Sequence, residues 1–266
     1  MMSDGLPTRR SARHYDAAFR ALNPVAKIAA SLVIAVTLAL SVDAASALTA
    51  LTLELVLLPF AGLGWRVFWR RTAPVWIAAP LAGLTAALYG RASGRVYLDW
   101  LVVHVTDGSL HLAIITALRV LAIALPAVVL FATVDATALA DGLAQRLHLP
   151  ARFVLGALAA LRLVGLMRDD WAALELARRA RGVADRGRIR RFAGLAFALF
   201  VLSIRRGSAL ATAMEARGFG GTGPRTWARP SAFGAREVLL VAVGALIAAT
   251  AVVVAVVTGQ WEFLGT

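Results

Sequence analysis

Residues Val25 to Val42 read VAKIAASLVIAVTLALSV, and beyond Asp43 residues Ala44 to Leu63 read AASALTALTLELVLLPFAGL. Each run approaches the roughly 20 apolar residues that a helix needs to cross the hydrocarbon of a bilayer. The one acidic residue between them leaves room only for a tight turn, so the pair is expected to form a helical hairpin in the membrane. Further runs of the same character follow at Ala73 to Tyr89, Leu110 to Thr133 and Val238 to Thr258. The whole chain of 266 residues is 60% apolar and 16% charged. Soluble domains have roughly half apolar and about a quarter charged residues. An all-α integral membrane protein with about five transmembrane helices is therefore expected.

Arginine placement gives the orientation. The N-terminal segment holds Arg9, Arg10, Arg13, Arg20 and Lys27, and the second connection holds Arg66, Arg70 and Arg71. No basic residue lies in the first turn, and the longer loop from Gly90 to Gly108 sets only Arg91 and Arg95 beside Asp99 and Asp107. Because basic loops stay on the cytoplasmic side, the N-terminus and the second connection are expected inside the cell. The opening residues lack the apolar core and small-residue cleavage site of a signal peptide, so they read as a cytoplasmic tail. After the fourth span the chain is again expected inside, and after the fifth the tail Gly259 to Thr266, without lysine or arginine, is expected outside.

This divides the chain into residues 1–134, a tail with four spans; residues 135–234, a cytoplasmic region; and residues 235–266, the fifth span with its external tail. The middle part carries apolar runs such as Phe153 to Leu161 and Phe192 to Ile204, too short to cross but suited to helices at the membrane interface. Asp135 is a fitting N-cap for a short helix over Ala136 to Leu147, which must stop before Pro150. Pro150, favoured in a first helical turn, opens a second helix running to Gly182, and a third covers Arg188 to Gly218.

Within the two long helices lies a repeat. Ala173-Leu-Glu-Leu-Ala-Arg-Arg-Ala-Arg-Gly182 and Ala209-Leu-Ala-Thr-Ala-Met-Glu-Ala-Arg-Gly218 agree at six of ten positions, 36 residues apart. In each, strong helix formers lead to an arginine and then to glycine, the residue preferred where a helix ends in left-handed backbone. The pattern predicts a helix end carrying one extended cation. Small alanines beside it let another protein's backbone approach, and the helix dipole favours a cation there. A single such end reads as a plain cap with a solvated charge; two copies closing two long helices point to an interaction device.

Ala180-Arg181-Gly182 and Ala216-Arg217-Gly218 resemble the two Ala-Arg-Gly signatures of the T components of energy-coupling factor transporters, a family serving cobalt, biotin and vitamin uptake. Leu22-Asn-Pro-Val-Ala-Lys27 resembles that family's N-terminal motif. Thr133-Val-Asp-Ala-Thr137 with Leu147-His-Leu-Pro150 resembles the segment leading into its coupling helices. Arg162-Leu-Val-Gly165 departs from the family's Arg-Phe-hydrophobic-Pro, which bears on local helix shape. The resemblance implies a non-catalytic coupling subunit of an importer for a vitamin or transition-metal ion in the bacterial plasma membrane. Ala180, Arg181, Gly182, Ala216, Arg217 and Gly218 would engage two ATP-binding cassette subunits, one helix end on each. Their ATP-driven closure would reorient a membrane S component that binds substrate. The chain itself would hold no cofactor, ATP and Mg²⁺ being bound by the partner ATPases.

Other features fit less specific readings. Lys27 is the sole lysine among 28 basic residues, and net charge is +13. The arginine bias suits carboxylates and lipid phosphates, and a GC-rich genome produces the same bias. With the basic clusters separated by apolar spans, anionic lipid rather than nucleic acid is the expected partner. Arg119, inside the fourth span, reads as a structural group with a partner in the bundle or as a functional one. His104 and His111 flank Asp107, but two histidines across a turn define no coordination geometry. Glu175 and Arg179 form an i, i+4 pair, and Arg186, Arg188, Arg190 and Arg191 a basic cluster open to lipid or ATPase contact. The chain has no cysteine, and no phosphate-binding Gly-Lys-Ser/Thr loop or hydrolase motif. The competing classes are an intramembrane enzyme and a membrane scaffold without an ATPase.

Overall fold

The computed structural model describes residues 19, 21–41, 43–57, 64–90, 93–100, 103–182, 187–221 and 226–261. Arg9, Arg10, Arg13, Arg20, Arg91, Arg186 and residues 262–266 of the tail lie outside these, as do the side chains of His104 and Arg188. By contact the chain forms two compact units, residues 1–139 with 232–266, and residues 140–231.

The first unit contains α1 (Pro24–Leu40), α2 (Ala44–Leu57), α3 (Trp65–Tyr89), a hairpin of β1 (Val96–Trp100) and β2 (Val103–Thr106), α4 (Asp107–Phe131) and, after the second unit, α8 (Ala235–Val257). Both α1 and α2 pack against α4 and against α8, and α3 lies along α4. Their shared core holds Ile34 and Leu38 from α1, Ala50 and Leu51 from α2, Val75 from α3, Leu125 from α4 and Ile247 from α8. Close helix approach rests on small residues, as is usual where lipid leaves no hydrophobic drive between helices. A Cβ on Gly244 would stand 3.1 Å from the Cα and carbonyl oxygen of Ala30, and one on Gly83 2.8 Å from the Ala113 carbonyl oxygen.

Local caps follow from the residues at the helix ends. Asn23 accepts from the Val25 N–H at 3.0 Å, capping α1, and donates through Nδ2 to the Ala232 carbonyl at 2.8 Å, tying α1 to the approach to α8. Glu237 in the first turn of α8 accepts from the Gly234 N–H at 2.8 Å and the Asn23 N–H at 3.3 Å. Lys27, with 1% exposure, donates to the Thr133 hydroxyl at 2.9 Å. Asp43 accepts from the Ser46 N–H at the start of α2.

Helix α3 begins at Trp65, eight residues before the apolar run at Ala73, because Arg66, Arg70 and Arg71 interrupt hydropathy without interrupting helix. Within 90–108, where sequence implies a loop, β1 and β2 pair antiparallel, Val96 opposite Thr106 and Trp100 opposite Val103. Their β-branched and aromatic residues suit a pleated surface. Among the described residues, four helices are long and apolar enough to cross a membrane: α3, α4, α8 and the residues from Ile189 in α7 (Arg188–Ala216). At 17 and 14 residues, α1 and α2 are shorter apolar helices. The apolar run of α7 lies between Arg191 and Arg205, and its helix extends through the arginines at both ends.

The second unit contains most of α5 (Ala136–Gln145) together with α6 (Ala151–Ala180) and α7. Asp135 caps α5, its Oδ2 accepting from the N–H groups of Thr137 and Ala138 at 3.0 Å. The start of α6 packs through Val154 and Leu158 on Ala140 and Ala144 of α5, with Trp227 alongside. Gln145 and Arg146 then hold the segment at 229–231 by hydrogen bonds to Arg229 and Ser231. Helices α6 and α7 run antiparallel. Arg191 near the start of α7 pairs with Glu175 near the end of α6, and the Trp171 and Phe192 rings stand 5.7 Å apart.

Candidate functional site: two arginine-bearing helix ends

Each long helix of the second unit closes with the same backbone. At the end of α6, Arg181 has φ −87° and ψ 3°, and Gly182 turns left-handed at φ +66°. At the end of α7, Arg217 has φ −89° and ψ 9°, and Gly218 has φ +77°. The Gly182 N–H returns to the Arg179 carbonyl at 3.0 Å, and the Gly218 N–H to that of Glu215 at 2.9 Å. In α7 the Phe219 N–H also reaches the Met214 carbonyl at 2.9 Å, which completes the two-bond Schellman cap. Among the described residues, and apart from each glycine's own chain neighbours, no atom stands within 4 Å of where a Cβ would lie, so the backbone torsion, not crowding, calls for glycine.

Ending the helix this way leaves the arginine as its last side chain. Arg181 and Arg217 are exposed, and among the described residues neither makes a side-chain hydrogen bond or ion pair. Ala173, Ala177 and Ala180 are exposed on α6, as are Ala209, Ala213 and Ala216 on α7. The spacing of four and then three places each trio on one helix face, a smooth stripe leading to the guanidinium. The surroundings differ in charge: Arg178 and Arg179 precede the first end, Met214 and Glu215 the second.

Both predicted triplets thus occupy matching ends, but they are not brought together. The end of α6 lies beside the start of α7, whereas Arg217 closes the far end of that helix. With 29 residues in α7, the two cations are roughly 40 Å apart. The sequence-predicted Glu175–Arg179 pair is present at 2.8 Å. Arg191, read as part of a free basic cluster, is committed to the same carboxylate, and Arg178 donates to the Arg191 carbonyl at 3.3 Å. Arg162 to Gly165, where the family pattern has proline, is helical throughout, and α6 is unbroken there.

Sequence reasoning passed over three charged groups. Asp170 of α6 and Arg206 of α7 form an ion pair at 2.6 Å. Glu54, 3% exposed in α2, keeps both carboxylate oxygens without a hydrogen bond among the described residues. One charge in an apolar run is visible in sequence, but its burial is not. No group of three or more metal-ligating side chains is gathered among the described residues.

A family model described as cobalt transport protein, CbiQ, matches residues 19–227, a span that includes both Ala-Arg-Gly ends. The chain belongs to the CbiQ family. This CbiQ-family chain is also 29% identical over 199 residues to the energy-coupling factor transporter transmembrane protein EcfT of Limosilactobacillus fermentum, a match covering 67% of this chain and 73% of that one. It is a T component, the membrane component of an energy-coupling factor transporter. Its apolar helices and this kinship support a location in the bacterial plasma membrane.

Proposed function

We propose that this CbiQ-family chain is the coupling subunit of an importer for a vitamin or transition-metal ion. Arg181 and Arg217 engage two separate ATP-binding cassette subunits. Ala180 and Gly182 at one end, and Ala216 and Gly218 at the other, let the partner backbone come close. The observation that carries this reading is one backbone cap repeated at opposite ends of an antiparallel helix pair, each presenting an exposed guanidinium with no side-chain partner among the described residues. Two matching arginine-bearing ends roughly 40 Å apart suit two sockets rather than one. Arginine suits a socket lined by carboxylate, which its planar fork meets through two parallel bonds.

On this reading the chain is not an enzyme and binds no cofactor, and ATP and Mg²⁺ reside in the ATPase subunits. Closure of the ATPase pair moves α6 and α7, and that motion reorients a membrane S component, which supplies the substrate pocket. The N-terminus faces the cytoplasm, as the exposed Arg66, Arg70 and Arg71 with Trp65 and Trp69 at the start of α3 support: basic residues favour the inner side, and tryptophans favour an interface.

Co-purification with the two ATPases, before and after charge reversal, tests the proposal. Arg181→Glu together with Arg217→Glu should abolish retention of the ATPases, while the solubilised variant keeps the parent's melting temperature. Full ATPase retention by the double variant would refute the assignment.

A further inference from the structure

Asp170 and Arg206 are 36 residues apart, the offset that also relates the two Ala-Arg-Gly ends. Each therefore precedes its own terminal arginine by the same distance, 181 − 170 = 217 − 206 = 11 residues. The fold brings these two equivalent positions into contact. Arg206 donates from Nη2 to Asp170 Oδ1 at 2.9 Å, and Nη1 stands 2.6 Å from Oδ2. The carboxylate is largely withdrawn from water, with 16% of its side chain exposed.

The helices α6 and α7 meet through charged and aromatic contacts. Leu195 is the fully buried apolar side chain of α7 among the described residues, whereas Phe197, Phe200 and Ile204 are exposed. Glu175–Arg191, Arg178 to the Arg191 carbonyl, and Trp171–Phe192 all lie at the beginning of α7. Gly194 leaves room there for the Arg178 guanidinium, whose Nη2 lies 2.8 Å from where a Cβ would be. Further along α7, Asp170–Arg206 joins the two helices again. A two-pronged charge contact also sets a register, because a shift of one helical turn parts the groups, whereas apolar surfaces can slide.

We propose that Asp170 and Arg206 are positioning residues that form the joint between the coupling helices, passing displacement of either arginine-bearing end to the other. Beyond it α7 runs on for three turns, about 16 Å, to Arg217, while α6 returns along the start of α7 through Trp171, Glu175 and Arg178 to Arg181. This inference rests on the coupling function proposed above and adds the contact that fixes the register of the two helices toward the Arg217 end.

Because the chain has no cysteine, labels are placed without background. Spin labels at Arg179→Cys and Glu215→Cys sit two residues before the terminal arginines, off the alanine stripes. The distance between them is measured in the complex with both ATPases and an S component, with and without Mg-ATP and vanadate. The labelled parent should give one narrow distance peak that shifts on trapping. Asp170→Ala and Arg206→Ala should each broaden that peak at least twofold and at least halve the shift while the ATPases stay bound. The exchange Asp170→Arg with Arg206→Asp should restore a narrow, shifting peak. Single variants that move like the parent overturn the joint. Should the single variants fail to fold, the exchange decides: a narrow shifting peak supports the joint, and a broad static one overturns it. A parent chain that holds no ATPase overturns the coupling function itself, and the joint with it.

Discussion

Arg119 of α4 donates its Nε–H to the carbonyl oxygen of Leu38 at 2.7 Å, and its Nη2 to that of Ala39, so one guanidinium closes the C-terminal end of α1. Those carbonyls have no partner within their own helix, and a cation at a helix C-terminus also meets the negative end of the dipole. The costly intramembrane charge thereby has a structural assignment. Arg119→Met should destabilise the solubilised protein by about 1–3 kcal/mol, the cost of leaving such acceptors unsatisfied. Thermal unfolding in detergent checks this, and an unchanged midpoint would remove the assignment.

Glu54 presents the opposite case. Its carboxyl group is buried with no hydrogen-bond partner among the described residues, which is costly in either protonation state. Replacement by leucine, of similar size, should therefore stabilise the first unit, by about 1–3 kcal/mol on the scale for uncompensated buried polar groups. Glu54→Leu is expected to raise the melting temperature. A fall as large as that of a core truncation would show that the carboxyl has a stabilising partner.

Gly244 permits α8 to touch α1. Since its Cβ would meet Ala30 backbone atoms at 3.1 Å, backbone and not a flexible side chain must yield. Gly244→Val should cost about 1–3 kcal/mol through overpacking. A melting temperature equal to the parent's would mean that the helices separate freely at this point.

Gly218 isolates a torsional requirement. With open space around it and φ at +77°, alanine there incurs backbone strain alone, on the order of 1 kcal/mol. Gly218→Ala should weaken ATPase retention by fraying the end that holds Arg217, whereas Gly218→Asn, tolerant of the left-handed region, should retain more. Equal retention by both variants would separate the glycine from the function.

Much of this was legible in the chain itself because it depends on neighbours in sequence. Asp135 as a cap, Pro150 as a boundary and the two Ala-Arg-Gly closures are local, and the structure shows the helix starts and ends that they predict. The family was legible from the same motifs. What escaped depends on distant partners. The target of Arg119 lies 80 residues away, and neither Asp170 nor Arg206 signals its mate until the repeat offset is applied outside the matched decapeptides. The early start of α3 was hidden because hydropathy locates apolar stretches, while helix continues through arginine. The β1–β2 hairpin was hidden because its alternating pattern sits in a short connection.

The left-handed glycines have one more effect. By stopping each helix at the arginine, they bring an exposed guanidinium to the limit of the rod, its N–H donors without a side-chain hydrogen bond or ion pair among the described residues. Any surface that strips away this hydration without offering acceptors pays a desolvation penalty and is refused. The same termini that hold a matching acidic socket therefore discourage adhesion to greasy surfaces, a useful discrimination for a chain surrounded by lipid and apolar helices.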